Sequence, residues 1–189
     1  MFANINAALL FLINILFGLY LFVLAARIIL VYTGANYYNP LVRFVVHLTQ
    51  FIVKPMQTFA PTYRHIEFSS LLLIFILQCI KFILLILLTG NLLTIDGLIL
   101  LVIGDTIKLI LLTFFYAIII EVILTWVQPH SPVTYVLSQF TAPIMRPIQR
   151  VVPPIGGIDI SPIPALILLQ LLIILLVNPI MAAGFSAIH

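Results

Sequence analysis

The chain carries one sequence pattern twice, with the second copy 92 residues after the first. Residues 39–78 align with residues 131–170 without a gap. The identical pairs include Pro40/Pro132, Thr49/Thr141, Ile52/Ile144, Pro55/Pro147, Gln57/Gln149, Pro61/Pro153, Ile66/Ile158, Ser69/Ser161 and Gln78/Gln170, and charge type persists at Lys54/Arg146 and Glu67/Asp159. Self-similarity at a fixed offset is typical of a repeated structural unit. We therefore predict a tandem duplication whose two halves fold alike.

The hydropathy of both halves predicts a membrane protein. With 64% hydrophobic and only 7% charged residues, the chain has too little polar surface to coat a water-soluble globule. Four apolar segments, at about 7–32, 68–90, 98–126 and 162–183, reach the roughly 20 residues that a helix needs to cross a bilayer. Because an even number of spans separates the copies, both should have the same orientation. The predicted fold is an all-α membrane protein, a tandem parallel duplication of a two-helix hairpin with repeats at 1–97 and 98–189.

The long connection within each repeat has the pattern of an interfacial amphipathic helix, at about 40–54 and about 132–142. Asn39 and Ser131 each precede a proline, which is typical of an N-cap followed by the first helical residue. Pro55 and Pro147 are expected to end these helices, because proline lacks the amide donor and clashes with the preceding turn. Ser69 and Ser161 are placed to cap the spans that follow.

Basic residues predict the orientation in the membrane. Arg43, Lys54 and Arg64 lie in the first connection, Arg146 and Arg150 lie in the second, and residues 89–97 contain no Lys or Arg. The positive-inside rule therefore places both connections in the cytoplasm and both termini outside. We expect the first apolar segment to be retained rather than cleaved as a signal peptide, since no Lys or Arg precedes it and it is too long for such a peptide.

Two segments carry a resemblance to a known family. YNPLVRFVVHLTQFIVKPMQTFAP and SPVTYVLSQFTAPIMRPIQRVVPPIGGIDISP resemble the two signature segments of the YggT family, also called YlmG, and the match extends over roughly residues 20–177. The resemblance implies a bacterial inner-membrane protein linked to osmotic-stress tolerance and ion homeostasis, with plastid relatives linked to maturation of a b-type cytochrome and to nucleoid distribution. It implies no enzymatic reaction. In the first copy, Thr58 stands in place of Arg150, and Arg64 and His65 in place of Gly156 and Gly157.

The second connection allows two interpretations. Arg146 and Arg150, with the backbone amides of Gly156 and Gly157, could hold a lipid headgroup, a phosphate or an acidic partner segment. Alternatively, Arg146 pairs with Asp159 and pins the interfacial helix to the next span. The repeat favours pinning, since Lys54 and Glu67 preserve both signs. Arg27 and Glu121, near the ends of spans 1 and 3, could form a further structural pair.

Polar residues inside the spans form a predicted intramembrane cluster, because they fall at similar depths. Its members are Asn14, Gln78, Lys81, Asp105, Lys108 and Gln170. Asp105 and Lys108 are three residues apart and could neutralise each other, whereas Lys81 needs a partner from elsewhere. The cluster could hold the helices together or line an ion pathway. The first interpretation is favoured, because two lysines beside one aspartate would repel a cation.

Enzymatic chemistry is not predicted. His47, His65 and His130 stand at no metal-ligand spacing, and Cys79 is the single cysteine, so no cofactor, metal site or disulfide is expected. The sequence favours a non-enzymatic organiser or assembly factor for membrane components, with an oligomeric ion or small-solute channel as the alternative. Expected partners are anionic lipid headgroups on the cytoplasmic side and other membrane proteins, with a homo-oligomer also open. No nucleic-acid partner is expected.

Overall fold

The computed structural model describes residues 2–58, 60, 62–63, 66–90, 92, 94–154 and 159–187. Its long elements are helices, and four of them are long and apolar enough to cross a membrane. The helices are α1 (Phe2–Tyr32), α2 (Pro40–Met56), α3 (Phe68–Thr89), α4 (Ile95–Val127), α5 (Pro132–Val151), α6 (Pro162–Leu172), a π-helix (Ile173–Val177) and α7 (Asn178–Ser186). The protein is thus a multi-pass membrane protein, with α1, α3, α4 and the continuous α6–π–α7 segment as its spans.

The two connections form helices whose first turns are capped as predicted. The Oδ1 atom of Asn39 accepts a hydrogen bond of 2.9 Å from the amide of Leu41, and the Oγ atom of Ser131 accepts one of 3.1 Å from the amide of Thr134. Each cap satisfies an amide that has no partner inside its own helix. The two caps are also joined, because the Asn39 side chain donates a 2.7 Å hydrogen bond to the carbonyl of Pro132. The side of the bundle that holds both connections is called the connection side below.

The predicted helix end at Pro55 is confirmed, since α2 ends one residue later at Met56, whereas the predicted end at Pro147 is wrong. Pro55 lies in the last turn of α2, and α5 continues past Pro143 and Pro147 to Val151. Pro143 and Pro147 are four residues apart and both are exposed, so the carbonyls that lose their amide donors lie along one outer side of the helix. A helix tolerates such a loss where the freed carbonyls are not buried. The predicted serine caps of α3 and α6 are also absent: neither Ser69 nor Ser161, both described, makes a side-chain cap.

Between α2 and α3 the chain forms a very short antiparallel hairpin. Strand β1 is Thr62–Tyr63 and strand β2 is Ile66–Glu67, with Thr62 opposite Glu67. The second strand leads directly into α3 at Phe68. The hairpin therefore fixes Glu67 at the base of a span, where its side chain is turned into the protein and is only 2% exposed.

The spans pack in an order that matters for the interfaces below. Helix α3 packs against both α1 and α4, whereas the α6–π–α7 segment packs against α4 and, at the connection side, α5. Two glycines allow the close approach of α4 to α7, because a Cβ on Gly104 would lie 2.8 Å from Met181 Sδ and a Cβ on Gly184 would lie 2.9 Å from Leu101 Cγ. Small residues serve this purpose commonly where membrane helices meet.

Candidate functional site

The most heavily bonded polar group on the connection side is a buried ion pair between α1 and the base of α3. Arg27 Nε lies 2.7 Å from Glu67 Oε2, and Arg27 Nη2 lies 2.8 Å from Oε1, so the guanidinium binds both carboxylate oxygens. Both side chains are almost inaccessible, with 5% and 3% exposed. A two-point contact of this kind fixes orientation as well as charge.

Further side chains complete the hydrogen bonding of this pair. Arg27 Nη1 donates to Thr49 Oγ1 of α2 at 2.8 Å. Glu67 accepts from Ser70 Oγ at 2.6 Å and from Gln57 Nε2 at 2.9 Å. Burial alone would raise the pKa of Glu67, but the hydrogen bonds from Arg27, Ser70 and Gln57 outweigh it and hold the pKa below its usual range. The network joins α1, α2 and α3 into one unit.

Two predicted ion pairs are therefore wrong. Arg27 pairs with Glu67 rather than with Glu121, and Glu67 does not pair with Lys54, which is exposed in the last turn of α2. The physical reason is that the turn after α2 brings Glu67 back beneath α1, where Arg27 offers two donors. Glu121 instead accepts a 2.6 Å hydrogen bond from Thr141 of α5. The sequence did not predict three members of this network, Thr49, Gln57 and Ser70, although Thr49 and Gln57 recur unchanged in the second copy.

The predicted pair between Arg146 and Asp159 is also wrong. Both residues are described, and Asp159 is bound by Gln149 Nε2 at 2.9 Å and by the amide of Ser161 at 2.8 Å rather than by the arginine. Burial acts to raise the pKa of Asp159, but the hydrogen bonds from Ser161 and Gln149 outweigh it and keep the pKa below its usual range. These bonds satisfy the carboxylate locally, because Ser161 is only two residues away. Arg146 is left for another role.

A cleft at the connection side is lined by the two arginines of α5. It has a volume of about 380 Å³ and lies between the end of α1 and the outer side of α5. Its walls are Tyr32, Thr33, Gln139, Ala142, Pro143, Arg146, Pro147 and Arg150. Within the described part of the chain, no carboxylate lines this cleft or pairs with either arginine. The predicted contacts of Gly156 and Gly157 lie outside the described residues.

Inside the membrane span, the predicted cluster forms one ion pair. Lys81 Nζ of α3 lies 2.6 Å from Asp105 Oδ2 of α4, and also lies 4.9 Å from the centre of the Phe82 ring. The predicted neutralisation of Asp105 by Lys108 is wrong, since Lys81 takes the carboxylate. The physical reason is that α3 packs against α4 and brings the Lys81 ammonium directly to the Asp105 carboxylate.

The amide members of the cluster are not gathered at this ion pair. Asn14 is exposed and donates to the carbonyl of Leu10 in its own helix at 2.9 Å. Gln78 is completely buried, and neither of its amide atoms has a hydrogen-bond partner among the described residues. Its repeat counterpart Gln170 is exposed. The single predicted cluster is thus an ion pair with separate amides around it.

The low pKa of Glu67 predicts a pH dependence of stability. A carboxylate whose pKa is lower in the folded than in the unfolded protein stabilises the fold above the unfolded value, about 4.3 for glutamate, and loses that contribution as pH falls through the folded value. The melting temperature in neutral detergent should therefore be flat from pH 7 to about pH 5 and should fall at lower pH. The Glu67→Gln variant should melt at a lower temperature at pH 7 and lose part of the acid dependence. An unchanged acid dependence in this variant would contradict the assignment.

Comparison with known proteins identifies the family. The sequence profile of the CCB3/YggT family matches residues 6–88 and 100–180. The uncharacterized protein YggT of Escherichia coli K12 is 38% identical over 165 residues, which cover 86% of this chain and 85% of that protein. An uncharacterized protein of Vibrio alginolyticus is 37% identical over 163 residues, covering 85% and 88% of the two chains, and one of Pseudomonas aeruginosa is 34% identical over 185 residues, covering 95% and 93%. No solved structure matches the chain. Two matched segments and relatives of nearly equal length establish that this chain belongs to the CCB3/YggT family.

Proposed function

We propose that this protein is a non-enzymatic organiser of the bacterial inner membrane, which binds anionic lipid headgroups at the Arg146 and Arg150 cleft and gathers membrane components around it. The connections lie in the cytoplasm and both termini lie outside. This orientation follows the basic residues of the connections and places the cleft at the inner leaflet, where anionic lipids attract basic segments. The link to osmotic-stress tolerance and ion homeostasis then follows from the lipid and protein environment that the organiser maintains.

One observation carries this proposal: among the described residues, Arg146 forms no ion pair with Asp159. The alternative role for Arg146 was to pin α5 to the base of α6 by binding Asp159. The Asp159 carboxylate instead accepts hydrogen bonds from Gln149 and from the amide of Ser161. Two arginines four residues apart on one helix present their donors side by side. Arginine is suited to phosphate because its planar group offers paired donors. The cleft of about 380 Å³ leaves room for a headgroup phosphate between α1 and α5.

The duplication supports a scaffold rather than a reaction centre. The two connection helices begin with equivalent caps, and Gln57 and Gln149 make the same contact, each bonding the carboxylate ten residues later at 2.9 Å. We infer a parallel tandem repeat with two amphipathic helices lying on the inner leaflet. Two helices arranged in this way, α2 and α5, present a broad surface to lipids and to other membrane proteins.

A second candidate function is an oligomeric channel for an ion or small solute. The observation that favours it is Gln78, whose buried amide has no hydrogen-bond partner among the described residues and lies three residues from Lys81 of the Lys81–Asp105 pair. Unsatisfied polar groups inside a membrane protein often line a hydrated path. Purified protein in liposomes tests this: ion or solute flux above that of empty liposomes, abolished by Asp105→Asn with yield unchanged, would favour the channel over the scaffold.

The headgroup proposal predicts a loss of lipid affinity in a double variant. In Arg146→Gln/Arg150→Gln, anionic phosphatidylglycerol or cardiolipin should bind at least about tenfold more weakly, because hydrogen bonds to a charged group contribute about 1.5–3 kcal/mol each. The measurement is the shift in melting temperature when lipid is titrated into purified protein in neutral detergent. Zwitterionic phosphatidylcholine should give no shift in either protein.

The matched control is Arg43→Gln/Lys54→Gln, which removes the same charge from α2, including the repeat counterpart of Arg146. If this control loses as much lipid affinity as the α5 variant, the effect is general surface charge and the cleft is not a site. If neither variant loses affinity, the proposal is wrong. Cells that carry the α5 variant should also survive osmotic shock less well than cells that carry the control.

A further inference from the structure

A stripe of side chains that is buried on α3 is largely exposed at the equivalent positions of α6 and the π-helix in the second repeat. On α3 the stripe consists of Ile74, Gln78 and Phe82, which are 0%, 0% and 3% exposed. The positions 92 residues later are Leu166, which is half-buried, Gln170, which is exposed, and Ile174, which is 47% exposed. The residue types on the two stripes are similar, so the difference lies in what covers them.

The cover on α3 is the first span of the following repeat. Phe82 packs into a cluster with Leu101 and Val102 of α4, and Lys81 pairs with Asp105 of the same helix. Among the described residues, no helix covers the corresponding stripe of α6 and the π-helix in this way, so Gln170 and Ile174 are exposed. Helix α1 is the repeat counterpart of α4. The α1 helix of another copy could therefore cover the α6 stripe as α4 covers the stripe on α3.

We propose that a second copy of this chain covers the stripe with the first half of its α1, in a head-to-tail contact that repeats the internal contact between α3 and α4. The corresponding α1 surface is open. Leu9, which is 92 residues before Leu101, is 40% exposed, and Ile13, which is 92 residues before Asp105, is half-buried. The contact would therefore join two apolar helix faces that the single chain leaves uncovered.

The polar residues on the two faces fit the same arrangement. In the internal contact, Lys81 and Asp105 lie at one depth. In the contact between copies, the same depth is marked by residue 173, which is 92 residues after Lys81, and by residue 13, which is 92 residues before Asp105. Since each residue rises about 1.5 Å along a helix, Gln170 and Asn14 would differ in depth by only about 3 Å. Both are exposed, and an amide in a membrane gains from an amide partner on another helix. A second copy thus supplies a hydrogen-bond partner to the Gln170 amide, and a further one to Asn14 beside its bond to Leu10.

The test is disulfide crosslinking in native membranes. Cys79 is the single cysteine, so Cys79→Ser gives a clean background. Leu9→Cys/Ile174→Cys places thiols at the positions that correspond to Leu101 and Phe82, which pack together inside the chain. Oxidation should produce dimers and higher oligomers from this double variant. Leu9→Cys alone and Ile174→Cys alone should not crosslink.

The matched control is Leu9→Cys/Leu175→Cys, in which the second cysteine is one residue along on a surface that is 72% exposed. It should crosslink much less. Strong dimers from Ile174→Cys alone would indicate a symmetric contact between two α6 helices and overturn the head-to-tail proposal. Absence of crosslinks in the Leu9→Cys/Ile174→Cys protein, with normal yield and melting temperature, would also overturn it. Capture of another protein by Ile174→Cys would show that the face has a different partner.

A second variant tests the polar contribution. Adding Gln170→Leu to the crosslinking protein should weaken self-association by about 3- to 20-fold, since hydrogen bonds between membrane helices contribute about 0.6–1.7 kcal/mol each. Adding Asn14→Leu should have a similar effect, and combining both changes should lose little more than either alone. Additive losses would contradict contact between the two amides.

Discussion

Replacing Arg27 with methionine should destabilise this protein more than any other single change of a charged residue on the connection side. The substitution leaves the Glu67 carboxylate buried, with Ser70 and Gln57 as its remaining partners. Loss of one member of a buried pair typically costs about 3–5 kcal/mol. The expected result is a much lower melting temperature in neutral detergent and a reduced yield from the membrane.

The double variant Arg27→Met/Glu67→Gln separates charge from packing. It removes both charges while keeping the bulk of both side chains, so it should recover most of the lost stability. Arg146→Gln is the matched control, because that arginine is exposed and makes no ion pair within the described residues. The interpretation fails if the double variant is no more stable than Arg27→Met, or if Arg146→Gln destabilises the protein equally.

Replacing Asp105 with leucine should have the second-largest effect. The change leaves the Lys81 ammonium inside the membrane span, where Lys81 is only 8% exposed. A lone basic residue near the middle of a span costs about 3 kcal/mol on insertion scales. We expect a lower yield and a lower melting temperature, because neither a water shell nor a second carboxylate among the described residues is at hand to replace Asp105.

The compensating variant is Lys81→Met/Asp105→Leu, which should restore yield and melting temperature if the pair only holds α3 to α4. Asp105→Asn gives the decisive comparison with the channel hypothesis, since it removes the charge but keeps the shape and a hydrogen-bonding group. If Asp105→Asn protein is made normally yet differs from wild type in ion flux in liposomes, the pair has more than a structural role.

The spans were predictable from sequence because one property decides them. Apolar runs at about 68–90 and 162–183 match α3 (Phe68–Thr89) and the start of α6 at Pro162, since a membrane requires length and hydropathy before anything else. The caps at Asn39 and Ser131 were predictable for a similar reason, because a cap depends only on residues within three positions of it.

The ion pairs were not predictable, because partner choice depends on the path of the chain between the charges. Repeat logic suggested that Glu67 and Asp159 each bind the base on the preceding connection helix. In the structure, Glu67 meets Arg27 of α1, a position that is Ile119 in the second repeat. The two copies therefore share the Gln57 and Gln149 contacts, but among the described residues only the first copy adds an arginine to its carboxylate.

The π-helix at Ile173–Val177 determines which way the last part of the chain faces. A wide turn takes up one residue more than an α-helical turn, so everything beyond it is rotated by about 100° relative to an uninterrupted helix. Leu169, before the π-helix, is buried, and Gly184, beyond it, lies against Leu101 of α4. One surplus residue thus changes the register of side chains within a single span, and the span still contacts α4 on both sides of that change.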